Sequence, residues 1–254
     1  RFFQSHAETM IKPFARFMEL LHARGVNGTP TEIRRALESF SAQDYLDLQV
    51  LFNLAWFGFT GRDDPDIRAV VKKGRLFNLD DRDLVLDRQM DIIGSIVDEY
   101  RALWEDGVAD ITASPFYHPI LPLLCDTSIA HESMPGCLLP KERFCQAGDA
   151  ERHVTAALDY FEGLFGKRPS GMWPSEGSVS PEALEIISGA GVQWAATDEA
   201  VLASTLKSWD RDRDLYRPWE AHGLTMFFRD HFLSDRIGFV YSRNPASTAV
   251  EDFI

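Results

Sequence analysis

The sequence predicts an α/β fold: an incomplete TIM-like barrel behind a large helical N-terminal portion. Three observations carry this. Residues 1–107 read as mainly helical, whereas from residue 108 short apolar runs alternate with amphipathic stretches, the order of a parallel sheet with crossover helices. No G-x-G-x-x-G or G-x-x-x-x-G-K turn is present, which sets aside a doubly wound nucleotide-binding sheet in favour of a barrel-type one. Four strands are clear where a closed barrel uses about seven or eight, so the barrel is incomplete.

The elements follow in order. Met10, Phe14, Phe17, Met18, Leu20 and Leu21 recur at helical spacing and stop at Gly25. Ser41 is placed to cap a helix carrying Tyr45, Leu48, Leu51, Phe52, Leu54, Ala55 and Phe57, with Gly58 as its stop and Trp56 read as core. Gly61 to Pro65 has turn composition. A long helix starts at Asn78 or Asp80, with Ile92, Ile93, Ile96, Val97, Tyr100, Leu103 and Trp104 as its apolar stripe, and ends at Gly107. Residues 108–113 form a first strand running into Ser114-Pro115-Phe116-Tyr117-His118-Pro119, and a loop-rich stretch spans 125–148.

A helix through Val154, Ala157, Leu158, Phe161, Leu164 and Phe165 then stops at Gly166. Gly171 to Pro174 is a second strand, followed by Ser175-Glu176-Gly177. Ser180 as N-cap and Pro181 at the first helical position open a helix ending at Gly189-Ala190-Gly191. Residues 192–197 form a third strand leading to Asp198-Glu199; 206–217 is a charged surface loop; 224–228 is a fourth strand leading to Arg229-Asp230-His231. The last residues, Val250 to Ile254, read as the start of a helix.

Composition narrows the function. The 254 residues carry 39 acidic and 26 basic side chains, a net charge of −13. That excess argues against a nucleic-acid partner, which requires a basic footprint. No apolar run reaches the ~20 residues of a membrane helix, so no membrane partner is expected. Cys125, Cys137 and Cys145 are odd in number and form no C-x-x-C pair, which points to a reducing, cytoplasmic setting.

In parallel α/β folds chemistry gathers at the carboxyl ends of strands. Those ends here deliver Tyr117 and His118, then Glu176, then Asp198 and Glu199, then Arg229, Asp230 and His231. Carboxylates among Trp173, Tyr117 and His118 suit sugar chemistry, with rings stacking on pyranoses and carboxylates acting on the glycosidic bond. Plainer roles stay open: Glu176 as a turn residue, Asp198 as a helix cap, Arg229 with Asp230 as a structural ion pair, and His118 as a core histidine. His6, His22, His131, His153 and His222 show no ligand spacing and read as surface or structural.

These residues carry a resemblance. Gly171-Met172-Trp173-Pro174-Ser175-Glu176-Gly177-Ser178-Val179-Ser180, with Gly191-Val192-Gln193-Trp194-Ala195-Ala196-Thr197-Asp198-Glu199, resembles the nucleophile region of glycoside hydrolase family 57. Ser114 to Leu124 resembles an earlier block of that family, and Phe52 to Phe57 and Phe228-Arg229-Asp230 also match. The resemblance implies residues 1–254 as a portion of one catalytic domain with a (β/α)7 barrel. It further implies retaining action on α-glucans, as hydrolase or transglycosidase, with no metal or cofactor and with an oligo- or polysaccharide as partner.

On this resemblance Glu176 is the nucleophile, and His118, Tyr117, Trp173, Asp198, Arg229 and Asp230 are substrate-binding candidates. The family's first His-Gln-Pro type block is missing, and its acid/base Asp is expected beyond Ile254, so this segment alone is expected to be inactive. Two other functions remain in view. A metal-dependent polysaccharide deacetylase or α-mannosidase-like enzyme would need a His/Asp ligand cluster, for which His118 and His231 are placed. A non-catalytic glycan-binding protein would keep the surface and lack the second carboxyl.

Overall fold

The structure, a computed structural model, describes residues 2–254; Arg1 lies outside the described residues. It divides into two compact units, the first ending at Glu99 and the second comprising Tyr100–Ile254.

The first unit is helical: α1 (Ala15–Arg24), α2 (Pro30–Ser39), α3 (Ala42–Leu54), α4 (Phe59–Arg62), α5 (Pro65–Lys73) and most of α6 (Leu79–Glu105). Its starts are set by side-chain caps. Thr29 with Glu32 and Ser41 with Asp44 form reciprocal capping boxes, and the Asp64 carboxylate accepts from the Asp66 and Ile67 N–H groups. The sequence reading overlooks α2 and α5, although Thr29-Pro30 and Asp64-Pro65 are start signals and both short helices are amphipathic, burying Ala36 and Ile67 with Val70. The segment expected as a turn at 61–65 is partly the last half of α4. Phe17, Leu20, Leu48, Leu51, Leu54, Ile67 and Phe77 are buried together as this unit's core. Trp56, expected inside, is 61% exposed and meets Phe52 edge-on, because α3 ends one residue before Ala55 and turns the ring outward.

Buried at the centre of this core is one carboxylate. Asp47 is fully buried and accepts from Arg16 Nε at 2.9 Å, Gln43 Nε2 at 2.9 Å and the Phe77 N–H at 3.0 Å. The stripe expected along α6 is mostly exposed: Ile92, Ile93, Ile96, Tyr100 and Leu103 face out, and only Trp104 is buried. Periodicity locates an apolar face but cannot supply what packs on it.

The second unit holds a five-stranded sheet: β1 (Thr112–Ala113), β2 (Gly171–Met172), β3 (Trp194–Asp198), β4 (Trp219–Ala221) and β5 (Leu224–Arg229), in the order β1-β2-β3-β5-β4. β1, β2, β3 and β5 are mutually parallel, with Met172 opposite Ala195 and Asp198 opposite Arg229; β4 is antiparallel to β5. The parallel strands lie in chain order with no reversal, which is the order of a barrel wall and lacks the switch point of a doubly wound sheet. The fold is therefore mixed α/β around a parallel sheet, as the sequence predicts. β4 is missed by the sequence reading; it lies between the charged stretch 206–217 and the strand expected at 224–228. Its turn to β5, His222-Gly223, has both φ values positive (51° and 78°), the requirement of a two-residue hairpin turn.

The remaining helices are α7 (Leu121–Cys125), α8 (Ala130–Ser133), α9 (Ala147–Phe165), α10 (Pro181–Gly189), α11 (Glu199–Thr205), α12 (Arg211–Asp214), α13 (His231–Asp235) and α14 (Ala246–Phe253). α9 stops at Gly166 and α10 starts at Ser180-Pro181, as the sequence predicts. Leu121, Val154, Leu158, Leu184 and Ile187 pack against Ala113, Met172, Ala195, Leu224 and Met226 to form the second core. Gly171 is required by this sheet, since a Cβ there would lie 2.1 Å from the Trp194 ring. No helix among the described residues is long and apolar enough to cross a membrane.

Candidate active site

The carboxyl ends of β1, β2, β3 and β5 bring the predicted residues together in two clusters. The first is centred on Glu176. β2 ends at Met172, the Trp173 N–H continues the ladder to the Ala113 carbonyl at 2.9 Å, and a tight turn over Ser175–Gly177 follows. Glu176 sits in the left-handed region (φ 56°, ψ 20°), disfavoured for any residue with a Cβ. Its carboxylate is 74% exposed, and His118 Nε2–H donates to Oε1 across 3.1 Å. The plainer reading of His118 as a core histidine is set aside, because its ring is half exposed and spans to another strand's end.

Tyr117 and His118 are also left-handed (φ 61° and 57°), so three of the five non-glycine residues with positive φ among the described residues lie here. Such strain persists only where surroundings over-determine it, and it concentrates at functional sites. The supports are visible. The His118 N–H donates to the Pro115 carbonyl at 2.8 Å, and the Phe116 N–H donates to the His153 carbonyl at 3.0 Å. The His153 ring also hydrogen-bonds the Phe116 carbonyl through Nδ1. Tyr117 leans edge-on against Phe116 and stays 86% exposed, the more open of the two candidate sugar platforms. Trp173 is half-buried.

The second cluster is built on β3 and β5. Asp198 caps α11 through the Ala200 N–H and accepts from Arg229 Nε and Nη2 at 3.1 and 2.6 Å. His231 lies between two carboxylates, with Nδ1 3.0 Å from Asp198 and Nε2 3.0 Å from Asp235. Asp230 caps α13 through the Leu233 N–H, accepts from the Tyr216 hydroxyl at 2.6 Å and pairs with Arg211 at 2.8 Å. Arg211 also reaches Glu199 at 2.7 Å. The ion pair considered between neighbours Arg229 and Asp230 is therefore corrected: Arg229 answers to Asp198 and Asp230 to Arg211, since Arg229 ends β5 while Asp230 turns away to cap α13. The expected charged loop carries this chemistry through α12, where Asp214 is buried and held down to about 2 by Arg213 and the Asp210 N–H.

Protonation follows from these partners. Burial pushes the Asp198 carboxyl up, but the Ala200 N–H, Arg229 and His231 outweigh it and hold the group below the usual carboxylate range. Asp230 behaves alike: burial raises it, and the Leu233 N–H, Tyr216 and Arg211 bring it below normal. His231 is raised by its bond to Asp198 and by the Asp235 charge. A raised histidine stabilises the fold fully below its unfolded value near 6.5 and loses that contribution as pH rises through its folded value. Replacing His231 by Gln should therefore lower the thermal midpoint at pH 6 more than at pH 8; an equal deficit at both, read by calorimetry, contradicts the charged bridge.

Thr197, Arg211, Tyr216, Asp235 and His153 are parts of the site that sequence reasoning missed. Only Thr197 carries a usable signal, a hydroxyl beside the strand-end Asp198; the others act across long loops. Among the described residues no group of three or more His, Cys, Asp or Glu side chains is arranged to hold a metal ion.

Similar solved structures include three enzymes. The 4-alpha-glucanotransferase from Thermococcus litoralis is 22% identical over 66% of this chain and 23% of its own, with a TM-score of 0.44. The alpha-amylase AmyC from Thermotoga maritima is 17% identical over 80% and 36%, at 0.47. The branching enzyme from Pyrococcus horikoshii is 15% identical over 94% and 43%, at 0.49. This chain thus spans 23% to 43% of their lengths. No curated protein matches it. The family model described as glycosyl hydrolase family 57 matches residues 4–254, and the chain belongs to that family.

Proposed function

We propose that this chain is part of a retaining glycosidase or transglycosidase acting on α-glucans, with Glu176 as nucleophile. Both compact units then belong to one catalytic domain, and the protein works in a reducing, cytoplasmic compartment. The observation that carries the reading is the Glu176 carboxylate, presented to solvent at the end of β2 on a left-handed turn and hydrogen-bonded by His118. A packing residue gains nothing from that backbone conformation; a nucleophile aimed at a bound sugar does.

In this mechanism a Glu176 oxygen bonds to the anomeric carbon while the bond to the leaving sugar oxygen breaks. An acid gives that oxygen its proton. The same group then takes a proton from water or an acceptor sugar, which attacks the anomeric carbon and releases Glu176. His118 orients the attacking carboxylate. Tyr117 and Trp173 supply ring surface, and Asp198, Arg229 and Asp230 border the sugar subsites.

The acid must be protonated at working pH, which calls for a raised carboxyl. Asp198 and Asp230 are held in the opposite direction, which agrees with the family resemblance in placing the acid/base on a carboxyl beyond Ile254, about 5–5.5 Å from Glu176 in the assembled site. The test is proton NMR of maltoheptaose digestion by the full-length protein. First-formed products in the α configuration support the retaining reading, and longer oligomers appearing alongside mark transfer to sugar. First-formed β products overturn it, and saturable binding without turnover points to a glycan-binding protein.

A further inference from the structure

We propose that Thr197 is a positioning residue for the nucleophile, setting the direction of Glu176 through the backbone of its turn. This rests on the assignment of Glu176 above. The Glu176 side chain is exposed and its carboxylate has His118 as its hydrogen-bond partner among the described residues, so its aim depends on the turn that carries it. That turn holds Glu176 in a disfavoured conformation at φ 56°, and the next residue, at φ 66°, is a glycine, which adopts that region freely. Its internal bonds, Gly177 N–H to the Pro174 carbonyl at 2.8 Å and Ser178 N–H to the Ser175 carbonyl at 3.0 Å, define its shape but do not fix it against the sheet.

The tie to the sheet is Thr197. Its hydroxyl donates to the Gly177 carbonyl at 2.5 Å, and both residues are buried, so water does not stand in for the hydroxyl. Gly177 also lies against both neighbours: a Cβ there would meet the Trp173 ring at 3.4 Å and the Thr197 hydroxyl at 3.7 Å, ordinary contact distances. Thr197 and Ala195 share the buried side of β3, and the next residue, Asp198, is clamped by Arg229 on β5. The nucleophile turn is thereby referenced to the best-paired part of the sheet, β3 against β5, rather than to the two-residue β2 that precedes it. Thr also explains itself in this place: a buried β-strand position would ordinarily take Val, the same shape without a donor.

The experiment measures covalent trapping of Glu176 by 5-fluoro-α-D-glucosyl fluoride in the full-length protein. A carboxylate oxygen bonds to the anomeric carbon, the carbon–fluorine bond breaks and fluoride leaves with the electron pair. Fluoride needs no proton, so the rate reads the nucleophile without the acid. In Thr197→Val the trapping rate constant should fall about 10- to 100-fold, the size expected of a misplacement near 1 Å, while reagent affinity stays as in the parent. Thr197→Ser, which keeps the donor, should restore the parent rate, and Thr197→Cys, with a weak S–H donor, should fall between.

A merely structural threonine would lower thermal stability in all three and leave trapping in the folded protein unchanged. Parental trapping in the Val variant, or in the Cys variant if Val does not fold, overturns the proposal, as does a Ser variant as slow as Val. A label in the parent on a residue other than Glu176 fails the nucleophile assignment itself and is distinguished by peptide mapping.

Discussion

Glu176→Gln should abolish α-glucan turnover in the full-length protein, by about four orders of magnitude or more, while leaving its folding intact. The kinetic size follows from the role. A covalent mechanism without its nucleophile retains only what binding and orientation provide, and such losses run to 10⁴–10⁶. The structural cost is small because the side chain is largely exposed and Gln keeps its shape and its ability to accept from His118. Surface changes of this kind stay within about 0.5 kcal/mol. The companion variant Glu176→Ala opens space where the carboxylate stood. Azide should occupy it and yield a β-glycosyl azide, the configuration opposite to the natural product. Wild-type rates in the Gln variant, measured by reducing-sugar release, would falsify the assignment.

Asp47→Ala should destabilise the helical unit by about 1–3 kcal/mol, the cost of leaving a buried hydrogen-bond donor without its acceptor. The geometry gives the reason. Asp47 is fully buried and is the shared acceptor for Arg16, Gln43 and the Phe77 N–H, so truncation leaves the Phe77 N–H without an acceptor and takes one partner from Gln43, which keeps the Phe77 carbonyl, and one from Arg16. Arg16 keeps Asp44 as a second partner, which limits the loss on its side. A domain's total stability is typically about 5–15 kcal/mol, so this one change takes a large share of it. Urea unfolding followed by tryptophan fluorescence and circular dichroism measures the shift; a midpoint unchanged from the parent contradicts the account of that core.

The sequence announces what local chemistry controls. Ser180-Pro181, Ser41 with Asp44, and Gly166 mark helix ends through caps and backbone freedom, and the structure places helix ends there. The four parallel strands are visible because short runs rich in apolar residues stand out between helices, although β3 and β5 bury alternate residues. β4 is not, because Trp219-Glu220-Ala221 is short and lies beside charges; only the His222-Gly223 turn betrays it. At the site, Glu176, His118, Asp198 and Arg229 are legible as polar residues at strand ends. Their partners are not: Arg211 pairs across 12 residues to Glu199 and 19 to Asp230, a separation periodicity does not encode. The left-handed backbone at Tyr117, His118 and Glu176 is equally silent, since none is glycine or asparagine, the usual markers of that region.

The central claim is that Glu176 becomes covalently bonded to the sugar. Incubation of the full-length protein with 5-fluoro-α-D-glucosyl fluoride, followed by proteolysis and peptide mass mapping, reads it directly. The account predicts a single glycosyl adduct on the peptide spanning Gly171–Ser180, located at Glu176 by fragmentation. An adduct on Asp198, Asp230 or any other carboxylate contradicts it.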